Sequence, residues 1–169
     1  MYLFLLRSNR SVEAQVYTGN ARSLNLKSYL TMIKSATTEE DILKCWDVLF
    51  ILRPHLIKET FVTTVQEMIT EGYQLMYIEE NGKAAAAVGF RYVQYLYNGK
   101  HFYIDDLSTL PESRGKGYGG MLLDHVTELA KEKGYACVTL DSGYTRFDAH
   151  RLYLNKGFVL AAHHFSRSV

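Results

Sequence analysis

Apolar positions between residues 32 and 169 alternate between two periods, and each change of period marks an element. Met32 to Ala36 reads as a short strand. Thr37-Thr-Glu-Glu40 has capping-box spacing, in which a hydroxyl and a carboxylate three residues apart satisfy each other's backbone N–H groups, and it predicts a helix start. Ile42, Trp46 and Leu49 recur at helical spacing with Cys45 beside them, until Arg53-Pro54 interrupts the run. Phe61, Val65, Met68 and Ile69 mark a second helix that stops near Gly72. Leu75 to Ile78 and a long strand from Ala84 to about Tyr97 flank Asn81-Gly82, a strong hairpin signal because both residues accept positive φ. Asn98-Gly99 turns that strand into His101–Asp105, which predicts a three-stranded antiparallel meander. Met121 to Lys133 forms an amphipathic helix: Leu122, Val126, Leu129 and Ala130 face inward, and Gly134 ends it. Ala136 to Leu140 reads as a buried strand, parallel because a helical crossover precedes it. Phe147 to Asn155 is a last helix stopped by Gly157, and Phe158 to about Ser166 a last strand. Residues 1–31 keep neither period and read as a poorly structured extension or read-through ahead of Met32, with an N-terminal strand or arm as the alternative.

Between the third meander strand and the amphipathic helix lies Pro111-Glu-Ser-Arg-Gly-Lys-Gly-Tyr-Gly-Gly120. Glycines allow close backbone approach, and a helix N-terminus presents N–H groups and a favourable dipole to an anion. The stretch reads as a pyrophosphate site. Gly115-Lys-Gly-Tyr-Gly-Gly120 fits the dinucleotide fingerprint G-x-G-x-x-G, and Asp141 follows at about the expected distance. Two features oppose that reading. Pro111 to Arg114 separates the glycines from the strand, and fewer than 50 residues follow, too few for a doubly wound sheet.

Composition narrows the rest. A chain of 169 residues, 47% hydrophobic and 22% charged, accommodates one globular domain with a substantial core. A formal net charge of +1 gives no reason to expect nucleic acid, a membrane surface or a polyanion as partner. No apolar run reaches the ~20 residues of a membrane span. Cys45 and Cys137 make neither a disulfide framework nor a metal cluster, so the default setting is reducing and cytoplasmic. His163 and His164 are adjacent on the expected last strand and would point apart, so no metal is expected.

Arg114-Gly-Lys-Gly117-Tyr-Gly119 resembles the acetyl-CoA pyrophosphate loop of the GCN5-related N-acetyltransferases, the GNAT superfamily. The element order over about residues 32 to 167 is similar to that fold: strand, two helices, three antiparallel strands, glycine loop and helix, parallel strand, helix, strand. Asp106 to Arg114 resembles the lead-in to the loop, and Ala149-His-Arg-Leu-Tyr153 with Gly157-Phe158 the motif on the last helix. Many members place Asn where this chain has Arg146. A bacterial subgroup of undefined substrate resembles the chain further in Leu-Arg-Pro-His-Leu at 52–56, Tyr-x-Asp-Asp-Leu at 103–107, Asp-Ser-Gly at 141–143 and His-His-Phe at 163–165.

The resemblance implies an α/β fold with a mixed central sheet, acetyl-CoA as cosubstrate, and direct transfer of acetyl to a primary amine. A small-molecule amine is favoured, with a protein amine, a non-catalytic acyl-CoA-binding module and a nucleotide-dependent oxidoreductase as rivals, and a homodimer stays open. By the same resemblance Leu107, Ser108 and Thr109 pair with the pantetheine arm, while Arg114, Gly115, Lys116, Gly117, Tyr118 and Gly119 hold the pyrophosphate. Tyr153 is implied as the acid for the leaving thiolate. Asp105 and Asp106 are the candidates for amine binding and deprotonation; strand alternation points them apart unless a bulge intervenes. Asp141, Arg146 and His150 are candidates for acceptor binding, the last two four residues apart on one helix face.

Overall fold

The computed structural model describes residues 32–169, and the expectation for residues 1–31 lies outside them. The elements are β1 (Ile33–Ser35), α1 (Glu39–Lys44), α2 (Trp46–Leu52), α3 (Lys58–Thr70), β2 (Tyr73–Glu80), β3 (Lys83–Tyr95), β4 (Gly99–Thr109), α4 (Tyr118–Glu132), β5 (Cys137–Leu140) and α5 (Phe147–Asn155). The sheet runs β1-β2-β3-β4-β5, antiparallel as far as β4 and parallel between β4 and β5. Asn81 (φ 52°) and Gly82 (φ 78°) make the β2–β3 turn, both left-handed as their residue types allow.

Alternation along the strands sends side chains to two cores. Tyr73, Leu75 and Tyr77 of β2 meet Ile42, Cys45, Val48, Leu49, Phe61 and Val65 of α1–α3. On the opposite face Val88, Phe90, Phe102 and Ile104 meet Leu122, Leu123 and Val126 of α4. Ala84 to Ala87 in the first half of β3 are all buried, and their small side chains let helices close on both faces. No helix among the described residues is long and apolar enough to cross a membrane.

Three expectations change. The capping box sits one residue later: Thr38 Oγ1 accepts from the Asp41 N–H, and Asp41 Oδ2 accepts from the Thr38 N–H. Tyr77 O–H donates to the other Asp41 oxygen at 2.7 Å, which ties the helix start to β2 and selects Asp41 over Glu40. These bonds hold the Asp41 carboxyl down at about 2. The first helix is divided at Cys45, whose N–H donates to Ile42 C=O, a three-residue turn that tightens the chain and restarts it as α2. Cys45 is fully buried and burial pushes its thiol up to about 12, so it serves as core. The last strand does not form: residues 158–169 carry no regular structure. These residues pair with no strand among the described residues, and β5 remains the edge of the sheet, paired only with β4. Phe158 packs on Tyr153, whereas Val159, Leu160 and Phe165 are exposed.

Candidate active site

The site begins with one extra residue. Gly89 pairs with Asp106 and Phe90 with Ile104, so Asp105 is a bulge in β4 without a partner on β3. The bulge turns both carboxylates to the α3 face, where they line one cavity. Arg53, from the break after α2, reaches across to them: Nε donates to Asp106 Oδ1 and Nη2 to the bulged Asp105 carbonyl, each at 3.0 Å. Tyr73 O–H donates to Asp106 Oδ2 at 3.0 Å, and Arg91 Nε donates to Asp105 Oδ2 at 2.9 Å. Tyr73 reaches Asp106 by lying over Gly89, where an added Cβ would be 1.7 Å from the phenol oxygen. Both Asp106 oxygens are thus engaged, while Asp105 keeps Oδ1 clear of hydrogen bonds among the described residues. Burial raises the Asp105 carboxyl above its ordinary value, against the opposing pull of Arg91.

A second opening lies where β4 and β5 part. Their pairing ends at Ile104 and Leu140, and β4 continues to Thr109 alongside β3 alone. The backbone edge of Leu107, Ser108 and Thr109 facing away from β3 therefore has no strand partner among the described residues. A cavity of 240 Å³ opens there, lined by Arg53, Asp105, Leu107, Asp141, Arg146 and Tyr153 among others. Burial raises the Tyr153 phenol and Arg146 opposes that shift. Asp141 Oδ2 accepts from Tyr103 O–H at 2.6 Å and lies 2.8 Å from His164 Nδ1 of the C-terminal segment. His150 does not line this cavity.

The glycine loop leads from β4 to α4. Gly115 (φ 79°) and Gly117 (φ 85°) are left-handed, and an added Cβ at either meets nothing within 4 Å, so the backbone there is open. Gly117 caps α4 and Arg114 is exposed beside it. The helix starts three residues earlier than Met121, at Tyr118. Gly119 and Gly120 have a different reason: an added Cβ would lie 3.3 Å from Leu152 Cδ2 or 2.9 Å from Lys156 Cε, so they let α5 approach α4. The loop is moored by Glu80 at the end of β2. Lys116 Nζ (2.8 and 3.0 Å), Tyr118 O–H (2.6 Å) and Ser113 O–H (2.8 Å) all donate to its carboxylate. They hold the Glu80 carboxyl down at about 2. Lys116 and Tyr118 are in this way directed to Glu80 by their side chains.

The structure gathers Asp105, Leu107, Asp141, Arg146 and Tyr153 around one cavity and adds Arg53, Tyr73, Arg91 and Glu80, which the sequence pattern did not single out. Arg53 had a trace in the run at 52–56. Glu80 and Arg91 had none, because their partners lie 36 and 14 residues away.

The chain matches the family model described as the acetyltransferase (GNAT) family over residues 38–158. A Bacillus subtilis (strain 168) protein described as the uncharacterized N-acetyltransferase YhdJ is 34% identical over 139 residues, covering 81% of this chain and 98% of that one. The aminoalkylphosphonate N-acetyltransferase of Salmonella typhimurium (strain LT2) is 33% identical over 66 residues, 39% of this chain and 43% of that one. Among solved structures, a predicted acetyltransferase with acetyl-CoA from Clostridium acetobutylicum superposes with a TM-score of 0.62 at 19% identity, over 80% of this chain and 94% of that one. With the model match spanning most of the described residues and the sheet, bulge and glycine loop already in place, the chain belongs to the GNAT acetyltransferase family.

Proposed function

We propose that the protein is an acetyl-CoA-dependent N-acetyltransferase that acetylates the primary amine of a small molecule by direct transfer. The observation that carries this reading is the position of Asp105: it lines both the cavity beside Tyr153 and the second cavity under α3, so an amine and an acyl group meet there. Acetyl-CoA fits the residues present: the unpaired edge of Leu107–Thr109 suits the amides of the pantetheine arm, and the open backbone of Gly115 and Gly117 at the α4 N-terminus, with Arg114, suits the pyrophosphate. When bound it supplies the thioester. The Clostridium acetobutylicum structure named above with acetyl-CoA supports that choice of donor. The aminoalkylphosphonate relative, a small-molecule N-acetyltransferase by its name, supports the choice of acceptor.

The chain's own groups divide the proton work. Asp105 Oδ1 takes a proton from the ammonium; its raised pKa makes it a better base than an ordinary carboxylate. The amine nitrogen then bonds to the carbonyl carbon as the carbon–sulfur bond breaks, and the excess proton left on that nitrogen is lost to solvent. Tyr153 O–H protonates the departing thiolate; burial keeps that phenol protonated until then. Amine and thioester thus give amide and thiol, with Tyr153 and Asp105 reset through solvent. Thiol release measured over a set of amines tests the reading. Tyr153→Phe should lower turnover roughly ten- to a thousand-fold with acetyl-CoA affinity by calorimetry nearly unchanged, and wild-type turnover in that variant would remove Tyr153 from the mechanism.

A further inference from the structure

The second cavity, 350 Å³, extends from Asp105 away from Tyr153 and under α3. Its outer wall is apolar: Leu49 of α2, Leu56 of the following loop, and Phe61, Val65 and Met68 of α3. Its charged wall is internally matched, since Arg91 pairs with Asp105 and Arg53 with Asp106. The remaining titratable groups there are His55, exposed at the rim, and the two phenols of Tyr73 and Tyr103, which donate to Asp106 and Asp141. An acceptor with a second charge on its body would bring that charge against apolar side chains and already-paired ions, where burial is unfavourable. An uncharged hydrocarbon body would instead replace water against the half-buried Leu56 and Met68.

We propose that the acceptor is a primary amine with an uncharged alkyl or aryl body, its nitrogen at Asp105 Oδ1 and its body in the cavity under α3. This rests on the N-acetyltransferase reading above and narrows it, for the outer wall of the cavity that would select the acceptor is apolar, while Asp105, with Oδ1 clear of hydrogen bonds among the described residues, also lines the cavity beside Tyr153. The specificity would therefore reside in α3 and the loop after α2.

The test uses the full chain with acetyl-CoA and reads thiol release from propylamine through hexylamine and from 2-aminoethylphosphonate. The transfer energy of a methylene corresponds to about fourfold per carbon, so kcat/KM should climb by about that factor along the series, mostly through KM. Hexylamine should exceed 2-aminoethylphosphonate. Thr64 is exposed on the same wall, and Thr64→Arg should shift the ratio at least tenfold toward the phosphonate. A flat or falling alkyl series, a phosphonate preferred by the unaltered protein, or an unmoved ratio in Thr64→Arg would each overturn the proposal while leaving N-acetyl transfer intact. Thiol release from no amine at all, with acetyl-CoA still bound by calorimetry, would overturn the enzymatic reading and this proposal together.

Discussion

Replacing Gly89 with alanine tests how the carboxylate pair is held. The new Cβ would stand 1.7 Å from the Tyr73 oxygen and 2.2 Å from Cζ, so the ring has to leave its place over β3. Tyr73 is 2% exposed and packed among Leu75, Phe61 and Val65, which leaves it little room. Two losses follow. Overpacking of this kind costs about 1–3 kcal/mol. The Tyr73–Asp106 bond goes to a charged acceptor and is worth about 1.5–3 kcal/mol. Together they predict a destabilisation of about 2.5–6 kcal/mol, or roughly 5–24 °C in melting temperature for a chain of this size. Calorimetry or thermal circular dichroism measures it. Because both losses pass through one ring, Gly89→Ala introduced into a Tyr73→Leu background should cost under about 1 kcal/mol. Full additivity of the two substitutions, or a melting temperature within 2 °C of wild type for Gly89→Ala alone, roughly the reach of a neutral surface change, would refute the argument.

Gly117→Val must hold a β-branched residue at φ 85° beside the proposed pyrophosphate, and Arg114→Ala removes an exposed cation there; calorimetry should show weaker acetyl-CoA binding in both, and unchanged affinity in both would remove the loop from the cofactor site. Asp105→Asn should lower kcat and flatten the acid limb of its pH profile, whereas Asp106→Asn, whose oxygens face Arg53 and Tyr73, should act mainly on melting temperature; the reverse pattern would exchange their roles. Glu80 has a folded pKa near 2 against an ordinary 4.5, so its stabilising contribution is complete above about pH 4.5 and fades as the pH falls toward 2. The melting-temperature gap between wild type and Glu80→Gln should accordingly shrink from pH 6 to pH 2, and a constant gap would show that the moorings of the loop do not depend on that charge.

Order and type of elements were legible because each rests on local spacing: the Asn81-Gly82 turn, the inward row Leu122, Val126 and Ala130, and the stop at Gly134 all appear where pattern placed them. The glycine loop was legible for the same reason. What failed depended on distant partners. Thr38 wins the cap over Thr37 because Tyr77 holds Asp41 from another strand. Residues 158–166 have strand-like composition yet pair with no strand among the described residues. The bulge could be named only as a condition on Asp105 and Asp106, since register is a property of two strands; so too the reach of Arg53 over 53 residues to Asp106.

The extra residue in β4 has a consequence for how this site is gained and lost. Phe102 and Ile104 pack toward α4, and so does Leu107, three positions later, although strand alternation alone would require an even interval. The bulge absorbs the difference. If Asp105 were deleted, Ile104 opposite Phe90 and Asp106 opposite Gly89 would become consecutive rungs of a regular ladder, and every core side chain would keep its face. A chain lacking Asp105 should therefore retain a cooperative melting transition in calorimetry. It would have lost the proposed base and the carbonyl that anchors Arg53 in a single step. One codon then separates a transferase from a stable protein of the same shape without its chemistry, and the same codon inserted into a regular strand of this fold would bring a second carboxylate round to the cavity.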